Sequence, residues 1–537
     1  MSLRAPARRC APSALRLAGM LLVLASLPAG GAAQQIVQGV LQLQWGDARP
    51  VAAGERPAPR FEAWLDVGSG IRLPLDTAQS RRAAGDLHAL AHRRVAVSYA
   101  TGLHGGLIDA IVPVDAPFPR DAVRHVSGRV LAAAAVQGST RWVTLMCRFA
   151  DVVAEPKPHA FFQQQYGAEP GQLGHYWSEA SYGRIDLAGS TAHGWYALPR
   201  VRAAYVTTVN GVARVDLNAL FAECTARADA EVDFNGVQGI NLMFNAELDG
   251  RAWGGGACAD LDGVYRCMRT TWSPPWAFAS LAGLAHEMGH GYGLPHSDNT
   301  DGDADTHDNP WDVMSDAWRH ATHDPVYGLL PKHPSMVQRD RLGWVSPARK
   351  RVLPMDNQQV HEIHLDAAGL HNADGVQMIV LEGVPQPDPY RTVVHVVEAR
   401  RRGGHYEAAL AGDAVIIHGL QDYGIARSVD ADVPAADLAA NEGSMFKPGE
   451  AWSTPDGRHH LQVLSATSTG FIVRIGPRPR LMSAPMPARE RSVLPASAPA
   501  TPSSTQRLRL PMPALPPRIC SAEKGVARPR PCLRQAR

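Results

Sequence analysis

The apolar and polar positions change texture three times along the chain. Residues 34–135 alternate in short runs, with IVQGVLQLQW and VAVSYA as candidate strands broken by glycine and proline. Positions 76–94 have room for one helix, on which His88 and His92 stand one turn apart. No carboxylate accompanies them at useful spacing, so they read as a surface pair. From Arg141 strands and helices interleave. RWVTLMCRF is a buried-strand pattern, HAFFQQQYG opens a helical stretch, and GRIDLAGSTAHGWYAL reads as two strands or one bent strand. VDLNALFAECTARADA has helical periodicity and GINLMFNAEL that of a strand. Past Trp344 short alternating strands return: VHEIHL, GVQMIVLEG, RTVVHVVEA, DAVIIHGL, HHLQVLSAT and TGFIVRIG.

These textures predict a multi-domain protein. An N-terminal β-rich domain or propeptide covers 34–138, an α+β unit with a mixed sheet covers 139–348, and a β-sandwich covers 349–477. The chain of 537 residues is long enough for several cores, and its 42 prolines and 49 glycines favour turns and short strands over a helical array.

The two ends read differently from the body. Residues 1–33 combine Arg4, Arg8, Arg9 and Arg16 with the apolar run LAGMLLVLASL and small residues at Gly31 and Ala33, the pattern of a cleaved signal peptide. The apolar run is too short for a spanning helix of about 20 residues, so stable membrane insertion is not expected. The segment 478–537 holds twelve prolines and a charge of +10, which predicts a disordered basic tail, merely solvated or touching anionic cell-surface polymers. Without that tail and the signal (+4), residues 34–477 carry −12, which argues against nucleic-acid binding.

Removal of the signal takes Cys10 and leaves six cysteines, an even number suited to a secreted, oxidised protein. Cys258 and Cys267 enclose a short loop and are expected partners. Cys520 and Cys532 would close another, leaving Cys147 and Cys224 by elimination, although six cysteines allow 15 pairings.

The stretch HEMGHGYGLPH, 286–296, carries the chemistry. Helical positions i and i+4 share a face, so His286 and His290 can aim at one cation, with Glu287 beside them as a general base rather than a ligand. Ser273 as cap, Pro274 and Pro275 in the first turn, and Leu281, Ala285 and Met288 as an apolar face predict the helix that carries them. Gly291 and Gly293 then allow the chain to turn, and His296 can return as a third nitrogen ligand. Three imidazoles and one open position make a zinc site of the catalytic type.

This pattern resembles the metzincin zinc endopeptidases, whose signature is HExxHxxGxxH followed by a methionine turn. DVMSD is similar to that turn, which implies Met314 as an apolar floor beneath the metal. The flanks YWSEASYGRIDLAG, NPWDVMSD and RLGWV resemble secreted peptidases of the gametolysin and bacterial immune-inhibitor types. DAVIIHGL and MFKPGEAW resemble the β domain that follows the protease unit in the immune-inhibitor type. Two departures stand out. The immune-inhibitor type places aspartate as third ligand where this chain has His296, and Asp316 replaces the tyrosine two residues beyond the methionine.

The resemblance implies a secreted zinc endopeptidase of metzincin fold that hydrolyses protein or peptide substrates through a water activated by Glu287. It also implies a glycine-bearing edge strand for the substrate, placed at Gly254, Gly255 and Gly256, where the residues read equally well as a plain turn near a disulfide. The acidic run between His296 and Met314, with Asp301, Asp303 and Asp305, is either a solvated loop or a calcium site, and Asp312 is suited to hold the turn through local hydrogen bonds. Residues 34–135 contain no cysteine, so if they are a propeptide, latency through a cysteine is excluded and an aspartate or a steric block remains; the alternative is a permanent domain that helps with attachment. The competing reading is a surface-binding or adhesion protein with a degenerate zinc unit, against which Glu287 counts. Cleavage specificity and oligomeric state are not encoded in any pattern found.

Overall fold

The computed structural model describes residues 35–50, 59–100, 106–114, 135–301, 305–383, 394–421, 424–431 and 442–478. The chain falls into two units, 1–479 and 480–537. The signal-like segment, the basic tail, Asp303, and the Cys520 and Cys532 pair all lie outside the described residues.

The N-terminal region supplies β1 (Gln35–Ala48), β2 (Arg60–Gly68), β3 (Ile71–Leu75), helix α1 (Thr77–Ala84), β4 (Arg94–Tyr99) and β5 (Ile108–Pro113). Asp76 caps α1 by accepting the Gln79 N–H at 2.8 Å. The central region supplies β6 (Trp142–Arg148), α2 (His159–Gln165), α3 (Leu173–Ala180), β7 (Thr191–Ala197), α4 (Leu217–Ala228), β8 (Gly239–Phe244), β9 (Arg251–Leu261), β10 (Val264–Ser273) and α5 (Leu281–Gly291).

These strands join in one mixed sheet, in the order β3-β2-β1-β9-β10-β8-β6-β7, with β4 and β5 attached through β1. β7, β6, β8 and β10 run parallel to one another, while β9 is antiparallel to both β10 and β1. The expected boundary between an N-terminal domain and a separate α+β unit is therefore crossed by backbone hydrogen bonds. β1 is fourteen residues long: its first half pairs with β4, and its last five residues pair with β9.

One face of the central sheet packs against α5, α3 and α2 around Trp142, Phe162, Trp177, Leu284, Met288 and Met314. The other face packs against α4 through Phe149, Leu220, Phe221, Phe244 and Trp272. Cys147 of β6 is bonded to Cys224 of α4, and Cys258 to Cys267 across the β9–β10 hairpin.

Residues beyond 349 form five strands of a six-stranded sheet and all of a four-stranded sheet. Val397, Val415 and Ile417 of the first meet Leu461, Val463, Phe471 and Val473 of the second in one buried core, a two-layer β arrangement. Asp298–Asn299, just past the third histidine of the motif, is the edge strand of the six-stranded sheet and pairs in parallel with Ile425–Ser428. The loop after His296 is thus anchored on the C-terminal region. No helix among the described residues is long and apolar enough to cross a membrane.

Candidate metal centre

The helix expected from Ser273 onward is broken in two. A single turn, Pro275–Phe278, is followed by Ser280 in an extended conformation and then by α5. Ser280 makes no capping bond through its side chain. Instead, the first N–H of α5, on Leu281, goes to the Tyr327 carbonyl at 2.9 Å. A distant loop does what the sequence assigned to a local cap.

The C-terminal end of α5 is built by glycine. Gly293 takes φ of +92°, its N–H returns to the His290 carbonyl at 2.9 Å, and the Leu294 N–H returns to Gly289 at 3.0 Å. Gly291 is the last helical residue. Its missing side chain makes room rather than a turn, since a Cβ there would lie 2.9 Å from the Trp142 ring. The reversal brings His296 back over the helix.

His286, His290 and His296 converge. Nε2 of His290 lies 3.2 Å from Nε2 of His286 and 3.1 Å from Nε2 of His296. Each ring is held from behind. Nδ1 of His286 faces the Val313 carbonyl at 2.6 Å, Nδ1 of His290 the Leu294 carbonyl at 2.7 Å, and Nδ1 of His296 the Thr306 hydroxyl at 3.2 Å. Carbonyls only accept, so the first two rings carry their proton on Nδ1 and turn an Nε2 lone pair inward. Lone pairs facing one another at such distances repel unless a cation lies between them. The spacing suits a tetrahedral ion, whose nitrogen ligands at about 2.0–2.1 Å sit a little over 3 Å apart.

The fourth position is filled from the far side of the sequence. Asp47, near the end of β1, is fully buried, and its Oδ2 lies 3.3 Å from His286 Nε2 and 3.2 Å from His290 Nε2. Its Oδ1 lies 2.8 Å from His296 Nε2 and 3.2 Å from Nε2 of a further imidazole, His307. Asp47, His286, His290 and His296 form a buried group that can hold a metal ion. Burial alone would raise the Asp47 carboxyl, but the three imidazoles around it, His296 first, outweigh it and hold the pKa well below the usual carboxylate range. Burial lowers His290 to about 4 and His296 to about 3, so both rings are neutral, as metal ligands must be.

Glu287 is buried beside this group, and its Oε2 has no hydrogen-bond partner among the described residues. Burial, and then the nearby Asp47 charge, raise its pKa well above the usual value. An unsatisfied buried carboxyl costs free energy and is retained where it has chemistry to perform.

Gly254, Gly255 and Gly256 lie in β9 where it passes α5. A Cβ on Gly254 would overlap the Glu287 carbonyl and come 3.0 Å from its Oε2. In this structure β9 is not an edge strand, since it has β10 on one side and β1 on the other. Trp45 pairs with Gly254 and Asp47 with Ala252, and the Trp45 ring stacks on His290 at 4.7 Å. Gly46 lets β1 lie flush, since a Cβ there would meet the Trp253 ring at 2.7 Å.

Met314 packs beneath α5, its Sδ against Gly289, where a Cβ would overlap it. Asp312 holds that turn by accepting the Met314 N–H at 2.9 Å. Asp316 accepts the N–H groups of Trp318 and Arg319 and so shapes the chain beyond the turn. Asp301 and Asp305 are likewise engaged with their own loop, accepting from Asn299 Nδ2 and the His307 N–H respectively. The buried acidic pair is Asp298 and Asp308, with Asp308 raised to about 10 by burial and then by Asp298. His88 and His92 are not the surface pair the sequence suggested. His88 is buried near Trp45, and His92 Nε2 meets the Gly291 carbonyl at 2.9 Å, which docks the N-terminal region onto α5.

The described structure therefore belongs to a sheet-rich class with a buried three-imidazole centre able to hold a metal ion, closed by a carboxylate from its own N-terminal strand. No known family model matches the chain, and a search of the curated proteins returns no match. Sequence reading missed Asp47 and His307. The signal for Asp47 is slight: an acid closing an apolar strand, QLQWGD. For His307 there is none beyond its place in an acidic loop.

Proposed function

We propose that this chain is a secreted zinc endopeptidase, folded here in a latent form. The observation that carries the reading is the set of three inward Nε2 atoms at 3.1–3.2 Å spacing with the unpartnered Glu287 carboxyl beside them. Nitrogen donors held by carbonyls from behind suit zinc far better than calcium or magnesium, which prefer oxygen. A zinc ion bound there supplies a Lewis acid that acidifies water and polarises a carbonyl. Glu287 takes the proton of the attacking water and returns it to the amine nitrogen as the peptide bond breaks. Burial, which raises its pKa, favours a carboxyl able to hold the transferred proton.

Latency follows from two contacts. The 44–48 end of β1 uses the backbone groups of β9 that an extended peptide would need, and Asp47 holds the corner that the attacking water would need. Substrate cannot enter while both are in place. The chain holds disulfides, Cys147–Cys224 and Cys258–Cys267, which agree with export to an oxidising space.

The test uses the full secreted chain opened by Gly46→Val and Asp47→Ala together. The first change drives a side chain into the Trp253 ring, and the second removes the carboxylate and so empties the corner. The opened protein is expected to hydrolyse casein with one zinc per chain. Adding Glu287→Ala should abolish hydrolysis while zinc stays. An opened protein that is zinc-loaded, folded and inert toward peptides would overturn the reading.

A further inference from the structure

Beyond the three ligands, a fourth imidazole stands at the same corner, and no motif assigns it a role. His307 is buried, and its ring lies 4.8 Å from that of His296 and 5.7 Å, stacked, from that of His286. It does not belong to the group whose donor atoms all lie within 4.8 Å of one another, so it is not placed as a ligand. What its Nε2 reaches, at 3.2 Å, is Oδ1 of Asp47.

That oxygen marks a position of chemical interest. The Asp47 carboxylate spreads two oxygens on one carbon across the four rings: Oδ2 over His286 and His290, Oδ1 over His296 and His307. The tetrahedral species of peptide hydrolysis also carries two oxygens on one carbon, one from water and one from the carbonyl. Asp47 therefore stands in for those oxygens, and His307 contacts one of them.

We propose that His307 is a further catalytic residue of this site, which donates a hydrogen bond from Nε2 to the substrate oxygen that replaces Asp47 Oδ1, and that Thr306 is the positioning residue that fixes the required tautomer. The proposal rests on the peptidase reading above.

The tautomer follows from donor and acceptor counting. His296 turns its Nε2 lone pair inward, so its Nδ1 carries the proton and donates to the Thr306 hydroxyl at 3.2 Å. Thr306 has one hydroxyl hydrogen, which is then free to point at Nδ1 of His307, 3.4 Å away. With Nδ1 accepting from Thr306, the ring carries its proton on Nε2, on the side of the corner. The Asp305 carboxylate stands 3.7 Å from the same Nδ1, farther than the Thr306 hydroxyl, and accepts the backbone N–H of His307 at 2.9 Å. The loop itself is pinned by Ser315, whose hydroxyl donates to the Thr306 carbonyl at 3.0 Å. One hydroxyl thus couples the protonation of a ligand to the donor direction of its neighbour.

In the reaction, water oxygen forms the new bond to the carbonyl carbon and gives its proton to Glu287, while the carbonyl π pair moves onto oxygen. His307 stabilises that developing negative charge without giving up its proton. The C–N bond then breaks, and the amine takes the proton from Glu287. A fixed donor aimed at charge that appears only in the transition state raises kcat with little effect on ground-state binding.

The test starts from the opened protein, whose zinc content and casein hydrolysis are measured first. Zinc binding without hydrolysis there defeats the peptidase reading itself, before any change at His307 is made. In that background His307→Asn is expected to lower kcat about a hundredfold with KM little changed, the size seen when one oxyanion donor is removed. Affinity for a peptide phosphinate, which carries the two tetrahedral oxygens, should fall by a similar factor, whereas a peptide thiol, which has none, should bind as before. Zinc should remain at one per chain. Thr306→Val should cost roughly tenfold in kcat, the scale of an outer partner, and Thr306→Ser should restore it. Unchanged kcat and phosphinate affinity in His307→Asn would overturn the proposal. So would loss of zinc in that variant, which would make His307 a ligand.

Discussion

The two sides of the metal centre are built in opposite ways. On one side, 286–296 supplies three imidazoles and the carboxyl of Glu287 from eleven consecutive residues, through a helical turn and a glycine reversal. On the other, Asp47 arrives from 239 positions earlier on a strand of the same sheet, and His307 from a loop tied to the C-terminal region. The near side is set largely by local backbone geometry, with Val313 and Thr306 only orienting rings that the helix and the reversal already bring together. The far side exists only while β1 stays paired with β9. A site assembled this way can be complete and closed at once, and on the proposed reading it opens by losing one strand rather than by rebuilding the ligands.

Breaking the near side should have the largest effect. His290→Ala removes the ring that is within 3.2 Å of both other Nε2 atoms, and it is expected to abolish both zinc retention and hydrolysis, read by metal analysis of the dialysed protein. Retained zinc would mean that Asp47 and the remaining rings suffice, and the contrast between the two sides would fail. Breaking the far side should act in the other direction. A latch worth even about 1.4 kcal/mol changes the open fraction tenfold, so the opened protein should cleave a quenched peptide at least about tenfold faster than the wild type. Equal rates would show that β1 does not guard the site.

The smallest effect concerns what supports the loop from behind. His418, on the strand Ala414–Gln421, accepts from Asn309 Nδ2 at 3.1 Å, and its pKa is lowered to about 3 by burial and then by Arg400. The unfolded chain takes up this proton below about 6.5, and the folded chain does not until about 3. The stability that neutral His418 contributes is therefore fully present above about pH 6.5 and drains as pH falls through that window. Melting temperatures between about pH 7 and 4 should drop less steeply in His418→Gln than in the wild type. Parallel curves would remove His418 from the account.

The legible part of this protein follows the same division. HEMGHGYGLPH announces its own geometry, because the i and i+4 spacing and a glycine at positive φ are properties of the backbone and need no other part of the chain. The same holds for the turn at Met314, written as Asp312 two residues before it, and for most strands of the central sheet. The break at Ser280 was not legible, because the N–H it leaves open is satisfied by Tyr327. Nor was the burial of His88 and His92, which depends on a region that reads as a separate domain and is in fact part of one sheet.

Alone, the sequence determined which residues can bind an ion and which carboxyl stands ready beside it. Only the tertiary structure decided what fills the remaining corner and what covers β9. Strand pairing over two hundred residues is chosen by the fit of whole surfaces, here Gly46 against Trp253 and Trp45 against His290, and such fit has no period that a linear pattern could display.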